Sequence, residues 1–200
     1  MKNVLLTFIK NPEFGKVKTR LSATMGHQRA LEVYDKLLAL TRSVTRQISC
    51  HRQLWYSQFI DEDDDWDARN YEKKLQQGSN LGQRMQYAFE QVFTAGYKRA
   101  VLIGSDCAEL TPSHIQQAFT ALENHDAVIG PSQDGGYYLL GMKAVHPKLF
   151  LDIDWSTPSV FDDTISRMQT LNLSCSHLST LNDIDTEKDL RESGQRLQDI

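Results

Sequence analysis

Two hundred residues with 40% hydrophobic and 24% charged side chains suffice for one domain with its own core, expected to span residues 1–200, and exclude a disordered chain. A net charge of −4 gives no basic field to attract a polyanionic duplex, so nucleic acid is not an expected partner, although a local patch can still hold a small phosphorylated ligand. Three separated cysteines, Cys50, Cys107 and Cys175, form neither a disulfide framework nor a CxxC site, and no run approaches the roughly 20 apolar residues of a membrane span, so the expected setting is the reducing cytoplasm without membrane insertion.

Along the chain, Val4 to Ile9 is a nearly continuous apolar run, the mark of a strand buried on both faces. Its length is below that of a signal-peptide core. A loop from Lys10 to Arg20 follows, holding Pro12 and Gly15 and then Lys16, Lys18 and Arg20 within five positions. Ala30, Tyr34, Leu37, Thr41, Val44 and Ile48 recur at helical spacing and predict a long helix over residues 28–49. Leu54 to Phe59 reads as a second strand, and the acidic run from Asp61 to Asp67 as a solvated loop.

After the Gly78 to Gly82 turn, Met85, Ala88, Phe89, Val92 and Phe93 mark the buried face of another helix. Ala100 to Gly104 is the clearest strand. Thr111-Pro112 places a capping hydroxyl before a proline at the first helical position and starts a helix reaching about Asn124. Ala127 to Gly130 and Gly136 to Met142 read as strands, Ser159 to Leu171 as a helix, and Thr186 with Asp189 as the capping box of a last helix. This alternation implies βαβ units in a three-layer α/β/α fold with a mostly parallel sheet, whose ligands bind beyond the carboxyl ends of the strands.

Four segments could carry chemistry. In the loop after the first strand, Gly15 lets backbone approach a phosphate, and Lys10, Lys16, Lys18 and Arg20 supply cations to a diphosphate; such a loop can also be merely solvated. It is not a Walker loop, and no GxGxxG fingerprint occurs. Asp106, directly after the strongest strand, either contributes to Mg²⁺, which needs only one or two protein carboxylates, or caps a turn. Asp183 and Asp185 share one side of an extended segment; Asp183 is read as a second metal ligand and Asp185 as favouring the last helix's N-terminus. Asp134 to Tyr138, with two adjacent glycines, is either a loop that folds over a polar substrate or a glycine turn. The six histidines show no metal-ligand spacing.

The ordered set Phe8 to Pro12, Gly15 to Leu21, Leu81 to Met85, Gly104 to Cys107, Asp134 to Tyr138 and Asp183 to Thr186 resembles the DUF2064 family, whose members are commonly called glycosyltransferase-like or arsenosugar-biosynthesis-type glycosyltransferases. The resemblance spans nearly the whole chain. It implies the nucleotide-diphospho-sugar transferase (GT-A) fold, also used by 2-phospholactate guanylyltransferase and the molybdenum cofactor guanylyltransferase. It further implies that Lys18 and Arg20 meet nucleotide phosphates, that Asp106 binds Mg²⁺ or Mn²⁺, and that Gly78, Leu81, Gly82 and Arg84 lie where the base or ribose is recognised. Asp134, Gly135, Gly136 and Tyr137 then face the second substrate, with Trp155, Ser156 and Thr157 shaping the acceptor side. Two departures stand out: Gly104-Ser105-Asp106 carries one carboxylate where two flanking one residue are usual, and Ala108 stands where proline is expected.

The leading expectation is a metal-dependent glycosyltransferase that takes a nucleoside diphosphate-sugar to a small acceptor, with Asp134 as acceptor-orienting residue or general base. A nucleotidyltransferase acting on a nucleoside triphosphate and a phosphorylated small molecule, and a nucleotide-binding protein of weak catalysis, are the alternatives. A homodimer is left open.

Overall fold

Val4, Leu5 and Leu6 are wholly buried. Successive side chains of a strand point to opposite faces, so all three can leave water only if both faces of the sheet are covered. In a computed structural model that describes residues 2–193, they are. Met1 and residues 194–200, the ends of the expected domain, lie outside the described residues.

In chain order the elements are β1 (Asn3–Ile9), α1 (Thr19–Met25), α2 (His27–Thr45), β2 (His51–Tyr56), β3 (Glu72–Leu75), α3 (Leu81–Thr94), β4 (Arg99–Ile103), α4 (Pro112–Ala121), β5 (Ala127–Pro131), β6 (Tyr137–Met142), α5 (Val160–Thr170), β7 (Cys175–His177) and α6 (Glu187–Glu192). They form a seven-stranded sheet in the order β3-β2-β1-β4-β6-β5-β7. Val4, Leu6 and Phe8 pack on one face with Met85 and Phe89 of α3 and Met168 of α5. Leu5, Val101 and Ile103 pack on the other with Val44 of α2 and Ile115 and Phe119 of α4. The three-layer α/β/α arrangement follows directly from this alternation.

β1 pairs in parallel with β2 and β4, β2 with β3, and β5 with β7. β6 runs antiparallel to both β4 and β5. The cause is loop length: a parallel return needs a crossover of about a dozen residues, whereas Ser132 to Gly136 close a tight turn in which Ser132 N–H donates to the Gly136 carbonyl at 3.0 Å. Gly135 takes φ +87, open to glycine at no steric cost.

Boundaries moved where polar residues supply the backbone partners. The second strand lies earlier than the expected Leu54 to Phe59, because the Gln58 and Phe59 amides donate to Asn11 Oδ1 rather than to a ladder. α2 ends at Thr45, four residues short of the expected end. Asp61 to Asp67 form a loop, as expected, pinned by Lys73 Nζ 2.9 Å from Asp64 Oδ1.

Candidate active site

β1 and β4 are adjacent and parallel, so the loops leaving their carboxyl ends open onto one cleft of about 630 Å³. Buried polar side chains fix the backbone of its floor. Tyr34 of α2 accepts from Lys10 N–H at 2.8 Å, donates to the Lys10 carbonyl at 3.0 Å and lies 3.2 Å from Ser105 Oγ, joining the β1 loop to the β4 turn. Burial pushes its phenol well above the usual tyrosine range, so it stays a donor at neutral pH. Gln76 donates to the carbonyls of Ile9 and Trp55 at 3.1 and 2.8 Å, and Asn11 donates to the Phe59 carbonyl at 2.9 Å.

The β1 loop and the first turn of α1 present Lys10, Lys16 and Arg20 on the cleft wall, all exposed. Lys16 pairs with Glu13 at 2.7 Å. Gly15 turns the chain at φ +75 behind that wall. Lys18, expected at the nucleotide phosphates, is buried. It caps α1 in the left-handed conformation (φ 47, ψ 47), its side chain is 4% exposed, and its ammonium lies 2.5 Å from Asp106 Oδ1 and 3.1 Å from Asp185 Oδ1.

Two distant segments meet at these carboxylates. Ile184 N–H donates to the Asp106 carbonyl at 2.9 Å and Asn182 N–H to Glu109 Oε2 at 2.9 Å, which brings Asp183 and Asp185 to the β4 turn. Burial, then the charges of Asp106 and Asp134, push the Asp183 carboxyl up to about 7, while Lys18 pulls the other way. Asp185 does not cap α6. Thr186 and Asp189 do so reciprocally, and the Asp185 carboxylate turns to Lys18 and to Arg20, 3.8 Å away.

The far wall comes from the β5–β6 turn and the segment before α5. Asp134 Oδ1 accepts from Gly136 N–H at 3.0 Å, and Gly136 and Tyr137 line the cleft. Tyr137 offers its ring there, since its hydroxyl turns inward to Met85 Sδ at 3.8 Å. Gly135 lies behind, where a Cβ would overlap the Pro158 carbonyl. Trp155, Ser156 and Thr157 line the same wall, and Trp155 rests on Gly82, where a Cβ would overlap the indole. Leu81 and Arg84 of α3 face the cleft, whereas Gly78 shapes the backbone, its carbonyl accepting from Arg84 Nε at 3.1 Å.

The cleft therefore gathers Lys10, Lys16, Arg20, Leu81, Arg84, Asp106, Asp134, Gly136, Tyr137, Trp155, Ser156, Thr157 and Asp183, while Gly15, Lys18, Gly78, Gly82 and Gly135 stand behind its surface. Tyr34 and Gln76 line the wall outside every segment singled out above, while Ser105 and Asn80 lie inside two of them, Gly104 to Cys107 and the turn that starts at Gly78. Asn80 had a readable signal: it precedes α3, and its Oδ1 accepts from Gln83 N–H at 2.9 Å, the usual N-cap bond. Tyr34 reads as one more member of the largely apolar helical stripe, and Gln76 sits in a polar stretch with no motif to mark it.

Residues 40–157 match the model of a family described as "Uncharacterized protein conserved in bacteria (DUF2064)". The chain belongs to the DUF2064 family. Among solved structures, this DUF2064 chain is 29% identical to a candidate nucleotide-diphospho-sugar transferase from Desulfovibrio desulfuricans G20, over 100% of this chain and 98% of that one, with a TM-score of 0.86. Rv0371c of Mycobacterium tuberculosis H37Rv, in complex with manganese, is 10% identical over 100% of both chains (TM-score 0.58). The inositol-1-phosphate CTP transferase of T. maritima is 10% identical over 98% of this chain and 96% of that one (TM-score 0.62). At 10% identity the last two show the fold alone, and it is the nucleotidyl- and sugar-transferase fold. No curated protein matches the chain. Among the described residues of this DUF2064 protein, no helix is long and apolar enough to cross a membrane.

Proposed function

We propose that this DUF2064 protein is a divalent-cation-dependent transferase that moves a glycosyl group from a nucleoside diphosphate-sugar to a small acceptor. The observation that carries the reading is a single cleft in which exposed Lys10, Lys16 and Arg20 face the carboxylates of Asp106, Asp134 and Asp183. Cations bind a diphosphate, and carboxylates beside it repel it unless a metal lies between them.

The donor set fits such a metal. Asp183 is held protonated to about pH 7 by burial and by the charges of Asp106 and Asp134, a local excess of negative charge that a divalent cation relieves. Among the described residues, no three His, Cys, Asp or Glu side chains gather into a complete metal cage. That suits Mg²⁺ or Mn²⁺, which take one or two carboxylates and complete their shell with water and substrate phosphates. Asp106 and Asp183 are the proposed ligands. Bound there, the ion neutralises charge developing on the leaving diphosphate.

The chain's own residues do the rest. Lys16 and Arg20 hold the diphosphate from the β1 side, and Arg84 and Leu81 flank the nucleoside. Asp134, fixed by its bond from Gly136 N–H, orients the acceptor hydroxyl or takes its proton, against the wall formed by Tyr137 and by Trp155, Ser156 and Thr157. Asp106→Ala is expected to lower turnover at saturating donor by on the order of 100-fold, because the lost interaction acts on charge that grows in the transition state. Nucleoside diphosphate release across a panel of nucleotide sugars, with Mn²⁺, measures it; full turnover in Asp106→Ala would sink the reading.

Nucleotidyl transfer is the second reading, motivated by the likeness of fold to the CTP transferase of T. maritima. Pyrophosphate release from a nucleoside triphosphate, only when a phosphorylated acceptor is present, would favour it.

A further inference from the structure

Of the four basic residues in and beside the β1 loop, three point at solvent and one does not. Lys10, Lys16 and Arg20 are exposed, whereas the Lys18 side chain is 4% exposed and bridges Asp106 and Asp185. Its backbone is left-handed, a conformation that L side chains other than asparagine and aspartate rarely adopt, and it caps α1 without any side-chain capping bond. The two ion pairs hold the Lys18 ammonium on Asp106 and Asp185. Other charges facing this cluster are Asp183, which feels Asp106 and Asp134, Asp189, which accepts from Asp185 N–H at 3.2 Å, and Arg20, 3.8 Å from Asp185.

We propose that Lys18 is an internal counter-ion that competes with the divalent cation for Asp106, so that this lysine, and not a phosphate contact, sets how tightly the free protein holds metal. Asp185 is its second seat: when a cation takes Asp106, Lys18 keeps the Asp185 ion pair. The inference rests on the metal reading above. A purely structural lysine, one that shapes Asp106 into a ligand, predicts the opposite sign, because its removal would weaken metal binding.

Calorimetric titration of Mn²⁺ into the nucleotide-free wild-type chain and into Lys18→Met separates the two. Removing a unit charge within contact distance of the ligand is expected to tighten Mn²⁺ binding by about tenfold or more. Equal or weaker binding in a variant with wild-type circular dichroism overturns the proposal, and if wild type binds Mn²⁺ the metal reading survives that failure. Should neither chain bind Mn²⁺ at millimolar concentration, this proposal falls, and the metal reading falls with it only if Mn²⁺ also fails to bind in the presence of a nucleoside diphosphate. Proton–nitrogen spectra of the lysine ammonium groups in the wild-type chain provide a reading that needs no variant to fold: Mg²⁺ is expected to shift the buried Lys18 signal, and an unmoved Lys18 resonance at saturating Mg²⁺ also overturns it.

Discussion

At the scale of single residues, Asp183 is buried beside the carboxylates of Asp106 and Asp134 and bears the consequence. Its carboxyl rises from 3.8 to about 7 through burial first and through Asp106 and Asp134 next. Between those two values the folded state holds a proton that the unfolded state has released, so folding is favoured by low pH in this window. The contribution is fully present below about pH 4 and is lost as pH rises through 7. Metal-free Asp183→Asn, which has no charge to accommodate, is expected to melt on the order of 3 °C above wild type at pH 8 and near it at pH 4. Identical melting curves at both pH values would show that the other acids do not press on Asp183. The residue was legible in the sequence as half of a spaced acidic pair, but its partner was not: Asp185 carries the same local signal as a helix cap, and only the fold, by bringing Lys18 across 167 positions, decides that it is an ion-pair partner.

At the scale of elements, what could be read depended on how much apolar surface each segment buries. β1, β4, α3 and α4 have continuous or helically spaced hydrophobic residues and stood where expected. β3 (Glu72–Leu75) and β7 (Cys175–His177) are edge strands of four and three residues, so neither has the run of buried side chains that periodicity needs. The seven-residue α1 buries only Leu21, so it too lacks a periodic signal, and its first two residues fall in the expected Lys10 to Arg20 loop. Packing between elements was equally invisible in the sequence, and Gly82 shows why. A glycine inside a helix is ordinarily about 1 kcal/mol worse than alanine. Here Trp155 occupies the space a Cβ would need. Gly82→Ala is therefore expected to lower the melting temperature and displace the indole, giving a changed tryptophan emission. In a Trp155→Ala background the same change is expected to raise stability, recovering the intrinsic helix preference. A double-mutant cycle in thermal denaturation with no coupling between positions 82 and 155 would refute the contact.

At the scale of the whole molecule, the cleft is a junction of segments that the sheet brings together from both ends of the chain. The β1 loop, the start of α3, the β4 turn, the β5–β6 turn, residues 155–157 and the Asp183 to Asp185 segment all contribute, and none carries the chemistry alone. A parallel sheet does this because every β1- or β4-type strand ends at the same edge, and the one antiparallel strand, β6, places the β5–β6 turn there as well. A ligand that spans such a junction binds only the folded chain, and so stabilises it by mass action, about 2.7 kcal/mol at 100 times its dissociation constant. For a chain of this length that corresponds to a rise of roughly 5–10 °C in melting temperature. The proposed site makes a stricter demand, since the metal needs phosphate oxygens to complete its shell and the diphosphate needs the metal to offset Asp106 and Asp183. Nucleotide sugar and Mn²⁺ together are therefore expected to raise the melting temperature by more than the sum of their separate shifts. Asp106→Ala should reduce the joint shift to that sum while leaving the nucleotide's own shift, which comes from Lys16, Arg20 and the α3 side, largely in place. A strictly additive response in the wild-type chain would mean that metal and diphosphate do not share the cleft.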